Sequence, residues 1–276
     1  MLIDTHQHYW HYNAGDFGWI EESMASARRD FLPQDVSGLM GSSGVGGALA
    51  VQAGQSLDET RWLISLARAN PFIVGVVGWL PLQAVDQASI SLAQDPLVVG
   101  ARHILQAEPD EFFDEPRFLR GVSWLAKDNL TFDLLISSRQ LQLATGLVRQ
   151  NPGVRFVLDH LAKPLAAGTD KDAWRRNLRE LSACGNVYCK LSGGIVEAMP
   201  HWTLEALAPF FDHALECFGE DRLVFGSNWP LIHAAGGYDN WMQAIGAWTS
   251  SRCGRRPAAM FEQATLRAYP RLRRGV

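Results

Sequence analysis

The chain has 276 residues, of which 47% are hydrophobic and 20% are charged, and its formal net charge is −4. This length permits one or two domains, and the absence of a basic stripe argues against a nucleic acid partner. No apolar run approaches the roughly 20 residues that span a bilayer. Asp4 and His6 also interrupt the apolar stretch that a signal peptide needs. We therefore expect a cytoplasmic protein that works without a membrane.

Short β-rich runs recur along the chain, and a longer helical pattern follows each of them. The strand candidates are "LIDTH", "VGGALAVQ", "FIVGVVGWL", "LVVGARHIL", "LTFDLLIS", "VRFVLDH", "VYCKLSG" and "RLVFGSN". Strands that alternate with helices predict parallel βαβ units, and these eight predict an α/β fold of the (β/α)₈ TIM barrel type. We expect one such domain over residues 1–276. An open doubly wound sheet is the alternative, but no GxGxxG turn follows the first strand.

Several helices carry start or stop signals. Ser56 and Glu59 have the spacing of a capping box at the start of the second helical pattern. The pattern that begins at Ser138 stops at an Asn-Pro-Gly sequence, and the pattern of residues 203–218 stops at Gly219, a typical C-terminal glycine. In barrels of this type the chemistry gathers where the strands end.

The first strand carries Asp4, His6 and His8 at positions two apart. Alternate side chains of a strand share a face, so we expect all three to face the same way, with Asp4 lower in the barrel. An HxH pair there can place two imidazoles on one metal ion, or two hydrogen-bond donors on one substrate oxygen.

The fourth strand ends with Arg102 and His103. Arg102 can bind a carboxylate or polarise a carbonyl, and His103 can act as acid, base or substrate ligand. Adjacent residues of a strand face opposite ways, so only one of the two should enter the pocket unless the strand breaks. A buried ion pair is the alternative interpretation of Arg102.

The sixth strand ends with His160. If this imidazole faces inward, Phe156 and Leu158 share its face and Asp159 points outward to the helices. The seventh strand carries Lys190, whose ammonium is costly in an apolar strand without a partner. A pocket role is expected for Lys190, and a salt bridge to Asp4 or Glu197 is the alternative.

The eighth strand ends with Asn228, followed by Trp229. An asparagine donates and accepts hydrogen bonds but cannot take a proton as a base. The pocket wall has several aromatic candidates, although ordinary core packing is the better explanation for any single one: Tyr9, Trp10, Trp19, Trp124 and Trp229.

Six segments, "IDTHQHYW", "GARHIL", "LTFDL", "LDHLAKP", "VYCKLSGG" and "FGSNWP", resemble in the same order the amidohydrolase-related family of the amidohydrolase superfamily. More narrowly they resemble its sugar-lactonase branch, which includes L-fuconolactone and L-rhamnonolactone hydrolases. The resemblance implies a slightly distorted (β/α)₈ barrel and the hydrolysis of a lactone.

The resemblance also implies roles for individual residues. His6 and His8 match the first-strand pair, which binds a divalent cation in some members and the substrate carbonyl in some lactonases. His160 matches the histidine of the sixth strand. Arg102, His103 and Lys190 match positions that the branch keeps at its pocket, and Trp229 is expected to contact substrate beside them.

Two departures from the family pattern limit the metal site. The fourth strand offers Arg102 and His103 where metal-binding members often carry a carboxylated lysine, and the fifth strand ends without a histidine. A two-metal centre is therefore not expected. One divalent ion, such as Zn²⁺, could be held by His6, His8 and His160, and metal-free catalysis is the other possibility.

The third departure is Asn228, which stands where the family has "GSDWP", with an aspartate that deprotonates the attacking water. Three interpretations stay open: an engineered inactive variant, a base function moved to His160, His103 or a carboxylate such as Glu108, and a loss of hydrolysis.

We therefore predict a hydrolase that opens small-molecule aldonolactones, such as L-fuconolactone or L-rhamnonolactone, to sugar acids. Its catalytic residues would be His6, His8, His160 and Asn228. The alternatives are a metal-dependent decarboxylase of the same superfamily and a silent barrel that binds sugar acids.

Overall fold

The computed structural model describes residues 1–20, 22–196, 199 and 201–272. All eight predicted strands are present, and they form one parallel sheet in sequential order. The strands are Leu2–Gln7 (β1), Val45–Val51 (β2), Ile73–Gly78 (β3), Val98–His103 (β4), Thr131–Leu134 (β5), Arg155–Leu158 (β6), Val187–Ser192 (β7) and Leu223–Gly226 (β8). The predicted (β/α)₈ barrel is therefore confirmed, and the open sheet is excluded.

The barrel is closed by the first strand and the segment that follows the last one. The amide of Asn228 donates to the His6 carbonyl at 2.9 Å, and the amide of His8 donates to the Trp229 carbonyl at 2.7 Å. This closure brings both predicted ends of the site, the HxH pair and Asn228, into direct backbone contact.

Helices surround the barrel. They are Pro33–Ser42 (α1), Leu57–Ala69 (α2), Gln87–Ala93 (α3), Pro116–Leu125 (α4), Leu141–Gln150 (α5), Lys171–Ser182 (α6), Leu204–Phe218 (α7), Tyr238–Cys253 (α8) and Pro257–Ala268 (α9). Gly219 ends α7 with a φ of 67°, which glycine adopts without strain. No helix within the described ranges is long and apolar enough to cross a membrane.

The start of α2 differs from its prediction in one respect. The Ser56 side chain accepts from the Glu59 amide at 3.0 Å, as a capping box requires. The Glu59 carboxylate does not return to Ser56. It accepts instead from the amides of Ala53 and Gly54, in the loop after β2.

Two apolar layers hold the barrel. One lies between strands and helices, and the other fills the barrel with alternate strand residues such as Leu49, Val77 and Val157. Helix α9 covers the amino-terminal end, where the Thr131 hydroxyl donates to the Ala268 carbonyl at 2.6 Å. The carboxyl ends of the strands remain open, which is where barrels of this type keep their chemistry.

Candidate active site

A cavity of about 380 Å³ opens at the carboxyl ends of the strands. Four of the predicted site residues line it: His8, Arg102, His160 and Asn228. The other side chains of the wall are Trp19, Met24, Ala53, Ile104, Gln106, Ala107, Leu135, Lys163 and Leu231. The cavity is thus largely apolar, with a small number of polar groups, as small-molecule sites usually are.

Asp4 does not share a face with the two histidines, so that expectation is wrong. Between Asp4 and Gln7 the first strand advances three residues while β2 advances two, from Ala48 to Ala50. Such an irregularity changes the face that the following side chains present. The Asp4 carboxylate instead accepts from Gln7 Nε2 at 2.7 Å and from the Ser227 amide at 2.8 Å, and so supports the closure of the barrel.

His6 and His8 belong to a buried chain of hydrogen bonds. His8 Nδ1 lies 2.9 Å from the Val51 carbonyl oxygen, so this nitrogen carries a proton and Nε2 is an acceptor. His6 Nε2 lies 3.1 Å from His8 Nε2, and His6 Nδ1 lies 3.1 Å from Lys190 Nζ. With its proton on Nε2, His6 accepts from Lys190 at Nδ1 and donates to His8, and Arg102 NH1 lies 3.2 Å from the same Nε2 as a competing donor.

Both imidazoles of this chain are neutral. Burial lowers the pKa of His8 to about 3, with Arg102 adding to the effect, and burial holds the pKa of His6 well below its usual range. Only His8 lines the cavity. His6 lies behind it, where it connects His8 to Lys190.

The end of β6 differs most from the sequence expectation. The strand stops at Leu158, and residues 160–163 follow with left-handed φ values of 52–56°. Asp159 continues the inward face of Val157, and the left-handed backbone that begins at His160 lets the next side chain reach the cavity as well. The Asp159 side chain is fully buried. Phe156 and Leu158, expected beside His160, pack in the layer between strands and helices.

Close contacts fix His160 in this left-handed segment. Its Nδ1 lies 2.6 Å from Ser192 Oγ. A Cβ at Gly194 would lie 2.4 Å from His160 Cγ, so only glycine leaves room for the ring. The Trp174 indole of α6 donates to the Leu161 carbonyl at 2.8 Å. Burial keeps the pKa of His160 well below its usual range, so the ring is a neutral acceptor at neutral pH.

Arg102 both pairs with an acid and reaches the cavity. Its NH1 donates to Asp159 Oδ2 at 3.1 Å, and its NH2 donates to the Gln52 carbonyl. The guanidinium Nε is buried and has no hydrogen-bond partner among the described residues. Arg102 therefore lines the cavity and also forms the buried ion pair that was the alternative interpretation.

Lys190 lies below the histidines and is completely buried. Its ammonium is 2.8 Å from Asp133 Oδ2 and 2.8 Å from Asp159 Oδ1. A salt bridge to Asp4 is therefore wrong, and Glu197 lies outside the described residues. The burial of Asp159 favours its protonated form, but Lys190, His6 and Arg102 outweigh this and hold its pKa well below the usual range. Burial raises the pKa of Asp133 in spite of Lys190.

Three of the predicted substrate-binding residues stay outside the cavity wall: His103, Trp229 and the fully buried Lys190. His103 Nε2 lies 2.8 Å from Glu108 Oε1, and its ring stacks on Phe112 with centroids 5.0 Å apart. Trp229 is fully buried, and its indole donates to His233 Nε2 at 3.0 Å. Of Arg102 and His103, only Arg102 enters the pocket, as expected of neighbours on one strand.

Sequence reasoning missed Asp133, Asp159 and Gln52. A signal was available for Asp133, because it is a carboxylate inside the apolar run "LTFDLLIS" and needs a buried partner as much as Lys190 does. Two costly opposite charges in β5 and β7, which are separated by one strand, predict each other. Gln52 gave no comparable signal, since it acts mainly through its backbone carbonyl.

Comparison with known proteins adds to this geometry. The family model described as Amidohydrolase matches residues 3–249. This chain belongs to the amidohydrolase family. An L-fucono-1,5-lactonase of Burkholderia multivorans is 38% identical to this amidohydrolase over 265 residues, which cover 91% of this chain and 90% of the relative. An L-rhamnono-gamma-lactonase of Scheffersomyces stipitis is 28% identical over 170 residues, 53% of this chain and 51% of the relative.

A solved structure has the same fold throughout. The crystal structure of an amidohydrolase from Burkholderia multivorans with bound zinc superimposes with a TM-score of 0.91 at 37% identity, and it covers 98% of this chain and 99% of the other. The resemblance read from the six sequence segments is thus confirmed.

The amidohydrolase has a group of residues with the ligand types of a zinc site. Ligand atoms of His6, Asp159 and His160 lie within 4.8 Å of one another, and Asp159 takes the place expected of His8. However, Arg102 and Lys190 already bind both oxygens of Asp159. The negative charges of Asp133 and Asp159 are balanced by the positive charges of Arg102 and Lys190. A divalent ion would therefore add positive charge that nothing compensates. The ligand types fit a metal ion, but the charges around them do not.

Proposed function

We propose that this amidohydrolase hydrolyses six-membered lactones of 6-deoxy sugar acids, with L-fucono-1,5-lactone as the representative substrate. The observation that carries the proposal is the cavity itself, in which Arg102, His160 and Asn228 meet an otherwise apolar wall. The lactonase named above, which matches nine-tenths of this chain, supports the same reaction.

The guanidinium of Arg102 would stabilise the charge that develops on the lactone carbonyl oxygen. It is held by Asp159 and Gln52 before substrate arrives, so little reorganisation accompanies the reaction. Its buried Nε has no acceptor among the described residues. Both ring nitrogens of His8 are already engaged, Nδ1 with the Val51 carbonyl and Nε2 with His6, so His8 would contact the substrate through the edge of its ring.

His160 would act as the general base. With Nδ1 directed at Ser192, Nε2 accepts a proton from water while the water oxygen attacks the carbonyl carbon. The tetrahedral intermediate collapses, the bond from carbon to the ring oxygen breaks, and His160 returns the proton to that oxygen. Asn228 cannot replace the base, but its amide can orient the water.

The apolar wall suits a methyl group at the end of the sugar chain. Met24, Leu135 and Leu231 line the cavity, together with Trp19. A primary hydroxyl would lose its hydration against this surface, whereas a methyl group gains from the contact. We therefore expect 6-deoxy lactones to be better substrates than lactones with a 6-hydroxyl group.

A pH-indicator assay against a panel of aldonolactones tests this function. We expect the unaltered chain to release acid, and His160→Gln to lower kcat by about 10²–10⁴-fold, the usual contribution of a general base. Asn228→Asp should then change the rate little. If Asn228→Asp is instead at least about 100-fold faster than the unaltered chain, the base belongs at position 228 and His160 is not the base. Thermal stabilisation by lactones without acid release would identify a silent binding protein.

A further inference from the structure

Glu59, in the first turn of α2, is an acid that no step of the proposed reaction uses. Its Oε1 accepts from the Ala53 amide at 2.7 Å and from the Gly54 amide at 3.0 Å, and its Oε2 accepts from the Gly54 amide at 3.0 Å. One carboxylate therefore binds two consecutive backbone amides of the loop that follows β2.

This loop is also the support of Arg102. The Gln52 carbonyl accepts from Arg102 NH2, and Gln52 Nε2 donates to the Arg102 carbonyl at 3.3 Å. Further along, Gln55 Oε1 accepts from the Ile104 amide at 2.9 Å. The 52–55 loop thus contacts the end of β4 at two places, and Glu59 is what closes the loop back onto its own helix.

We propose that Glu59 is a positioning residue for Arg102: its carboxylate fixes the 52–55 loop, and the loop holds the guanidinium where the carbonyl oxygen of a bound lactone develops charge. This role rests on the lactonase reaction proposed above. Glu59 does not line the cavity.

The charges around Glu59 make its support dependent on pH. Burial raises the pKa of Glu59 to about 7, against the opposing effects of the two loop amides and of Arg102, and Asp16 raises it further. On its own helix, Asp58 is exposed and pairs with Arg61. As the pH falls through 7, the carboxylate becomes protonated and loses both its charge and part of its acceptor capacity. The hydrogen bonds between Glu59 and the loop amides are therefore weakest at acidic pH.

The effect of Glu59 on kcat is tested by steady-state kinetics from pH 5.5 to 8.5, corrected for spontaneous lactone hydrolysis. For the unaltered chain, kcat should fall about tenfold toward acid with a midpoint near 7, as the loss of one charge-assisted hydrogen bond implies. Glu59→Gln should lower kcat about tenfold at pH 8, leave KM within about twofold and show no such midpoint. Asp58→Asn, an exposed neighbour on the same helix, should retain the profile of the unaltered chain. A Glu59→Gln enzyme with unchanged kcat, or with only KM altered, overturns the proposal.

Nuclear magnetic resonance separates a failure of Glu59 from a failure of the lactonase function. In the unaltered chain, the amide protons of Ala53 and Gly54 and the Nε proton of Arg102 should shift together with one midpoint near pH 7. This titration needs no substrate, and it needs no variant that might fold poorly. If the three signals do not titrate together, Glu59 is not coupled to Arg102, whatever the kinetics show. If they do and no lactone is hydrolysed, the coupling stands and the reaction assignment fails.

Discussion

Lys190 and Asp159 form an ion pair of 2.8 Å inside the barrel, with both side chains completely excluded from solvent. The same ammonium binds Asp133, whose carboxylate accepts from the Tyr269 hydroxyl at 2.9 Å. A layer of buried charges therefore separates the cavity from the apolar interior. It holds His6 from below, and through His6 it fixes His8.

Lys190→Met should destabilise the protein by about 3–5 kcal/mol at pH 7, because it leaves buried carboxylates without their counter-charge. Without the ammonium, the folded-state pKa values of both acids rise above their unfolded values. The folded protein then binds protons more tightly than the unfolded chain, so the deficit is small at pH 5 and grows as the pH rises. Urea denaturation of both proteins at pH 5 and pH 8 measures this loss of stability. Lys127→Met, on an exposed site, should change stability by less than about 0.5 kcal/mol. An equal deficit at pH 5 and pH 8 would contradict the charge argument.

Gly194→Ala should lower kcat by about tenfold or more, because its methyl group would occupy the place of the His160 ring. Gly146→Ala is the matched control. It lies within α5, and a Cβ there meets no atom within 4 Å. That variant should be about 0.5–1 kcal/mol more stable than the unaltered chain, and equally active. If both alanines have the same kinetics, the contact between Gly194 and His160 is unimportant for the reaction.

Trp19→Ala should raise KM several-fold and leave kcat nearly unchanged. The indole is 38% exposed at the rim of the cavity, where it can cover the apolar face of a sugar ring. Because this contact exists in both the ground state and the transition state, its loss weakens binding rather than chemistry. Trp62→Ala, on a helix outside the cavity wall, is the comparison. A lower kcat at constant KM would show that Trp19 acts in the chemical step.

Removal of divalent cations should leave kcat within about twofold of its initial value, because Arg102 supplies the positive charge that a metal ion would otherwise provide. The measurement is activity after dialysis against a chelator, with metal content determined on the same sample. A loss of activity that zinc restores would place a metal ion in the mechanism, and it would require Arg102 or Lys190 to move away from Asp159.

Particular residues show what could be predicted from the sequence. Eight apolar runs between helical patterns predicted the barrel, since alternation of this kind has few other solutions. His8, Arg102, His160 and Asn228 were found because they end strands, and the ends of parallel strands meet. The predicted facing of side chains was wrong where the backbone departs from regular strand geometry. Asp4 was misplaced by the irregularity in β1, and Asp159 was misplaced because His160 reaches the cavity through a left-handed backbone and not by regular alternation.

The left-handed segment shows why such departures are hard to predict. Each non-glycine residue in this conformation costs about 1–3 kcal/mol, so local propensity argues against it at all four positions. Only tertiary contacts select it, among them the bond from Trp174 to Leu161 and the ion pairs of Asp159. Those partners lie outside the segment, from 13 residues away for Trp174 to 57 for Arg102, and carry no local signature.

The cover that α9 places beneath the barrel has a consequence for biosynthesis. Tyr269 follows α9 and completes the partners of Asp133, while β1, which carries His6, closes the barrel against the segment after β8. Contacts between such distant parts of a chain form late in folding. We therefore expect a nascent chain on the ribosome to remain inert until Tyr269 has emerged. Activity would therefore require every segment from β1 to Tyr269, and a partly made copy that lacks α9 would have no working site.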